Sequence, residues 1–357
     1  MKENFQQFIK GLKKQSFIII LLGALLGGVL CFSLNSAIKN GVYLRLSLEQ
    51  FQVSGTEDSA SRVTYNVLKQ NLERNDKYPV YVMGGSTTFF LYRGQVKFAD
   101  YLSRDTDVDF EFINLTSTGQ KMAETLCVVN NLPDGEGIII IGLTARRFQS
   151  EMDLDRYLID RTDTYAFLKE NDIVQNASLN TKYNIVFNDT LQRVLDKIFF
   201  SDMLVPKQYR AAADDLLDKE DYQIDPDDYD LRLERIRNLM TTVNAEDIDN
   251  FSLILNEIAA VADAKGLTLL LVDLPISDEL YGDITFEGQT LTKILEDVCT
   301  RAAETHPNTY FTEFAYGLDI QLDDYLEGYH VGNPEKLDLM RQGLAQIVAP
   351  LMSDAID

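Results

Sequence analysis

Histidine is nearly absent from this chain, with two in 357 residues, and cysteine occurs only three times. Three cysteines cannot build a dense disulfide framework, and two histidines leave little material for a histidine-rich metal centre. Any histidine-dependent chemistry therefore falls to His306 or His330. Positive charge is scarce as well: 33 Lys plus Arg stand against 56 Asp plus Glu, for a net charge of -23. That balance excludes a nucleic-acid partner gripped by its phosphates. The sequence also lacks an Asp-x-Asp-x-Asp-Gly calcium loop, an internal repeat, a coiled-coil run and a long Ser/Pro linker. Neither a cofactor nor a metal is expected. What is present is apolar material: 45% hydrophobic residues suffice for a sizeable core and argue against wholesale disorder.

The charge is unevenly spread. Residues 1–40 carry Lys2, Lys10, Lys13, Lys14 and Lys39 against Glu3, so the acidic excess lies wholly in residues 41–357. Between the basic tail, residues 1–16, and the acidic remainder runs an uncharged stretch, Phe17 to Leu34. As a helix it would measure roughly 27 Å, about the thickness of a bilayer core. The expectation is a transmembrane signal-anchor over 17–34, with a cytoplasmic N-terminus and residues 35–357 outside the cell at its membrane. A cleaved secretion signal fits less well, because Asn35-Ser36-Ala37 is a poor small-x-small site. Cys31 follows Gly-Val-Leu and precedes Phe32, unlike a lipid-attachment site. Cys127 and Cys299 are compatible with one bridge or with two buried thiols.

Beyond the anchor, 42–58 reads as extended and Ser59 to Arg74 as an amphipathic helix with Val63, Tyr65, Val67, Leu68 and Leu72 on its apolar side. A strand at 78–85 ends in paired glycines, and a helix follows. The alternation continues with strands at 110–114 and 137–143, then 267–275 and 308–314, and helices at 120–130, 252–266, 291–304 and from Pro334. Five strands separated by helices predict a doubly wound parallel sheet. The segment 148–248 interrupts this order with acidic clusters, spaced apolar residues and a helix-start signal at Pro226, and reads as a mostly helical insertion within the exterior domain.

Ligands in open α/β sheets collect beyond the carboxyl ends of the strands. Ser86 stands there, in Gly84-Gly85-Ser86-Thr87-Thr88, where glycines permit close approach and a serine hydroxyl could act as nucleophile. Its base would be His330, in a loop flanked by Gly328 and Gly332 and closed by Asn333-Pro334, an N-cap followed by a first helical residue. Glu327 stands three positions earlier and could orient the ring. Asp323 and Asp324 are alternative acidic partners, with capping or solvent-facing roles as the plainer reading. His306, before Pro307, is the weaker histidine.

In this order the segments resemble the SGNH/GDSL hydrolase superfamily, and especially its membrane-anchored bacterial members in extracellular polysaccharide acylation or wall-polymer alanylation. Gly85-Ser86 resembles the nucleophile block; INLTSTGQ, residues 113–120, resembles the second block, with Gly119 supplying an oxyanion amide; Glu327-Gly-Tyr-His330 resembles the acid-x-x-His block. The third block departs: Gly142-Leu143-Thr144-Ala145 has Thr144 where the family has asparagine. Losing such a donor costs about 3 kcal/mol of transition-state stabilisation. Arg146, Arg147 and Asn114 are the nearby substitutes. The resemblance spans about 78–147 and 250–348. It implies a flavodoxin-like SGNH-type sheet with helices on both faces and a serine esterase or O-acyltransferase using Ser86, His330 and Glu327, with Gly119 and Thr144 at the oxyanion. It further implies an acylated glycan or wall polymer as substrate and a membrane-bound O-acyltransferase as partner. The competing expectation is a catalytically inactive binding or assembly protein in an acyl-transfer system.

Overall fold

The computed structural model describes residues 76–148 apart from 93–94, residues 159–173, and residues 226–354 apart from 314–317 and 327, together with scattered positions in 18–33 and 63–71 and Leu154. In chain order the elements are β1 (Tyr78–Gly84), α1 (Ser86–Leu91), α2 (Gln95–Asp105), β2 (Phe110–Asn114), α3 (Met122–Asn130), β3 (Ile138–Leu143), α4 (Thr162–Glu170), α5 (Pro226–Thr241), α6 (Ala245–Lys265) and β4 (Thr268–Asp273). The one-turn α7 (Asp278–Tyr281), the short strands β5 (Thr285–Phe286) and β6 (Gln289–Thr290), α8 (Leu291–Thr305), β7 (Thr309–Thr312) and α9 (Pro334–Asp354) complete them.

Five strands form one sheet in the order β2-β1-β3-β4-β7, and every neighbouring pair is parallel. This is the flavodoxin-type order of a doubly wound sheet, with its switch point between β1 and β3. β3 reads Ile-Ile-Ile-Ile-Gly-Leu and is buried throughout, as a central parallel strand covered on both faces must be. Strand alternation sorts the core into two layers. Tyr81, Met83, Ile139, Ile141, Leu269 and Leu271 face the layer built by α3, α6 and α8. Val80, Val82, Ile138, Ile140, Leu270 and Val272 face the other, covered by α2 and α9 through residues such as Phe98, Leu344 and Val348.

Local chemistry sets the helix ends. Asn244 caps α6 by accepting from the amides of Glu246 and Asp247, and Gly266, at φ +74°, ends it in the left-handed conformation. α5 begins at Pro226. Residues 174–225, the middle of the segment read as an insertion, lie outside the described residues, as do 42–58. Cys127 and Cys299 are both buried and free, so the one-bridge alternative is set aside. The β5–β6 hairpin, with Glu287 at φ 50° and Gly288 at φ 84°, was not expected from the sequence.

The transmembrane expectation requires correction. Among the described residues, no helix is long and apolar enough to cross a membrane. Within the apolar run the longest continuous described helix is Leu21–Leu30, whose side chains are exposed. Phe17, Ile20, Cys31 and Leu34 lie outside the described residues. The signal-anchor over 17–34, the membrane attachment through it and the single-pass topology with an exterior C-terminal domain are overturned with that finding. Apolar composition alone suggested a span, and no helix among the described residues meets that expectation.

Candidate active site

The carboxyl edge of the sheet is assembled by a glycine interlock. Gly84, at φ +143°, ends β1, and a Cβ there would lie 2.1 Å from Thr88 Oγ1 and 2.9 Å from the Gly142 carbonyl oxygen. A Cβ on Gly142 would meet the same hydroxyl at 2.3 Å. The two glycines therefore let α1 dock into the crevice between β1 and β3, where Thr88 Oγ1 donates to the Gly142 carbonyl at 3.2 Å. Ser86 is the first residue of α1 and stands partly exposed above this switch point.

The loop after β2 is tied to the same turn. The Gly84 amide donates to Gln120 Oε1 at 2.7 Å, Gln120 Nε2 donates to the Leu115 carbonyl at 3.0 Å, and the Ser117 amide donates to the Gly84 carbonyl at 3.0 Å. Gly119, at φ +67°, forms the exposed crest of that loop. Three of the polar substitutes for the missing asparagine can now be separated. Asn114 Oδ1 is taken by the amide and hydroxyl of Thr116. Arg147 is buried, donating to the Gly142 carbonyl and to Thr125 Oγ1. Arg146 instead lies over the Tyr329 ring, its guanidinium carbon 4.8 Å from the centroid.

Tyr329 in turn meets His330, with centroids 3.9 Å apart, and His330 meets Phe90 at 4.6 Å. The order Arg146, Tyr329, His330, Phe90 is thus one continuous stack joining the end of β3, the loop before α9 and α1. Phe90 is one helical turn beyond Ser86, so the stack brings His330, only 4% exposed, to the helix that Ser86 begins. The Ser86 hydroxyl makes no hydrogen bond to another described residue. Thr144 is buried directly after β3, and its carbonyl accepts from the Arg147 amide. Glu327 lies outside the described residues.

The loop carrying His330 is organised by Asp324, which accepts from the Gln321 amide and from Asn333 Nδ2 through its carboxylate and from the Gly332 amide through its carbonyl. Tyr325 and Val331 pair across it as an antiparallel bridge. Asn333 caps α9 through the Glu335 amide. Asp324 is therefore a loop-ordering residue, and Asp323 is exposed. His306 is remote in role: at the end of α8, its Nδ1 lies 3.2 Å from Asp263 of α6.

One residue of this edge gave no sequence signal. Asp273 ends β4 and is 2% exposed, and its carboxyl group makes no hydrogen bond or ion pair with another described residue. Burial, reinforced by the charges of Glu296, Glu313 and Asp278, pushes its carboxyl up to about 8. It opens onto a cavity of about 330 Å³ between the end of β4 and residues 318–325. Among the described residues no group of three His, Cys, Asp or Glu side chains is arranged to hold a metal ion.

The edge thus offers a serine at a glycine-built turn, a buried histidine held by aromatic packing, an exposed left-handed glycine and an acidic cavity alongside. Compared with known proteins, the chain matches no family model and no curated sequence.

Proposed function

We propose that the chain is a serine-dependent esterase or O-acyltransferase acting on an acyl ester of a glycan or wall polymer. The observation that carries the reading is the contact of His330 with Phe90, because Phe90 rides on the helix that Ser86 begins. The segment order resembling SGNH/GDSL hydrolases supports it, as does the position of Ser86 at the switch point of the sheet. In this reading Ser86 Oγ bonds to the acyl carbon while His330 takes the hydroxyl proton and Glu327 orients the ring. The tetrahedral oxyanion is held by the amides of Ser86 and Gly119, with Thr144 as a further donor and Arg146 near enough to the His330 stack to assist. The ester C–O bond then breaks, the leaving alcohol receives the proton from His330, and water or a glycan hydroxyl releases the acyl group.

Two observations favour a second reading, a non-catalytic protein that binds or assembles acylated substrate: Thr144 replaces the usual asparagine, and the Ser86 hydroxyl is not hydrogen-bonded to a described residue. Labelling by a fluorophosphonate probe separates the two. The enzyme reading expects the full chain to be labelled and the Ser86→Ala and His330→Ala variants to lose labelling together with p-nitrophenyl acetate turnover. Equal residual turnover in all three supports the binding reading.

A further inference from the structure

Among the described residues, the cavity at the end of β4 is bounded by carboxylates, apolar groups and the neutral Ser277, Thr292 and Gln321. Asp273, Asp278, Glu279 and Asp319 line it, together with Leu274 and Tyr325, while no Lys, Arg or His among the described residues does so. Asp273 differs from the other three in being almost wholly removed from solvent, its carboxyl group having no hydrogen-bonding or ionic partner among the described residues. A carboxyl so placed is stabilised by whatever brings it donors and positive charge. A bare metal ion is a poor match, since no trio of ligating side chains converges among the described residues and the wall includes Leu274, Leu318 and Ile320, which offer nothing to a hydrated cation. A volume of about 330 Å³ lies at the lower end of small-molecule sites.

We propose that this cavity binds a small organic amine, its ammonium group paired with Asp273 and its short apolar body against Leu274 and Ile320. Asp278 and Glu279, at the start of α7, add a negative rim that draws the cation in. The site does not depend on the hydrolase reading, because neither Ser86, Gly119, Thr144 nor His330 lines it. It is nevertheless joined to the His330 loop through Tyr325, which lines the cavity and pairs with Val331.

Isothermal titration calorimetry of the full chain with n-butylammonium chloride, 1-butanol and sodium butyrate tests this at low ionic strength. Saturable one-to-one binding of the ammonium is expected, with 1-butanol and butyrate at least tenfold weaker. Asp273→Asn is expected to weaken ammonium binding at least tenfold and Asp278→Asn several-fold. Asp134→Asn, before β3 at the opposite edge of the sheet, should leave it within twofold. Absence of saturable ammonium binding, equal binding of 1-butanol, or undiminished binding by both Asp273→Asn and Asp278→Asn overturns the assignment. Asp278 is exposed, so its variant keeps the test decisive if Asp273→Asn unfolds.

Discussion

The ring of Phe90 packs against the imidazole of His330 with centroids 4.6 Å apart and planes inclined by 35°. A contact of this kind contributes about 1 kcal/mol beyond simple burial, and here it also fixes where the imidazole stands relative to α1. Phe90→Ala should therefore act on ring position more than on substrate affinity. Under the proposed mechanism, with His330 as base, kcat for p-nitrophenyl acetate is expected to fall about tenfold with KM within a factor of two, since small misplacements of a catalytic group cost rate steeply. Steady-state kinetics across a range of substrate concentrations check this.

Adjacent glycines before Ser86 should respond very differently to the same substitution. Gly84→Ala forces a Cβ onto Thr88 and the Gly142 carbonyl at a φ that alanine resists, and is expected to destabilise the fold by at least about 2 kcal/mol. Gly85→Ala meets only the Gln120 carbonyl oxygen, at 3.9 Å, and should change stability by less than about 1 kcal/mol. Urea unfolding of the two variants measures the difference.

Asp273 makes stability depend on pH in a direction opposite to that of a salt-bridged carboxylate. Its carboxyl titrates near 3.8 when unperturbed and near 8 in the fold, so between these values the folded chain holds a proton that the unfolded chain has lost. The stability this contributes is complete below pH 4 and is lost as pH rises toward 8. Against Asp273→Asn, which cannot titrate, wild type should be matched near pH 4 and less stable at pH 8 by an amount on the order of a few kcal/mol. Paired denaturant titrations across this range test the sign, with Glu296, Glu313 and Asp278 present in both proteins.

Burial pushes the Cys127 thiol up to about 12 and raises that of Cys299 as well. In a Cys31→Ser variant, 5,5′-dithiobis(2-nitrobenzoic acid) is expected to find no reactive thiol in the native protein and two after denaturation. Reaction of either thiol before unfolding would contradict its burial.

The sheet was legible because its strands carry their own signal: Ile138 to Ile141 and Leu269 to Val272 are apolar runs that a parallel strand buried on both faces demands. Short local pairings carry less; the β5–β6 hairpin depends on two left-handed residues, Glu287 and Gly288, of which only the glycine is a recognised turn former. At the candidate site, Ser86 stood out through its glycine-rich turn and His330 through the scarcity of histidine, while Gly119 was picked out only by the resemblance of residues 113–120 to a family block. Arg146 could be narrowed from Arg147 only by seeing which guanidinium packs on Tyr329 and which is drawn under β3. Asp273 was invisible because an aspartate closing a strand ordinarily meets water, and only the packing of residues distant in sequence removes it. The apolar run at 17–34 suggested a span by hydropathy alone, and no helix among the described residues is long and apolar enough to be one.

The parallel pairing of β3 with β4 has a kinetic consequence. Residues 144–267 separate two strands that lie side by side, whereas β1, β2 and β3 follow one another within residues 78–143. Drawing together the ends of so long a segment costs roughly 4 kcal/mol in its length-dependent part, offset by packing of α4 and α6 on α3 and by pairing of β4. The β2-β1-β3 unit can thus form while the rest of the chain is still being synthesised, and arrival of β4 completes the sheet. Ser86 is set by the early half of the molecule; the acidic cavity at Asp273 comes into being only with the late one.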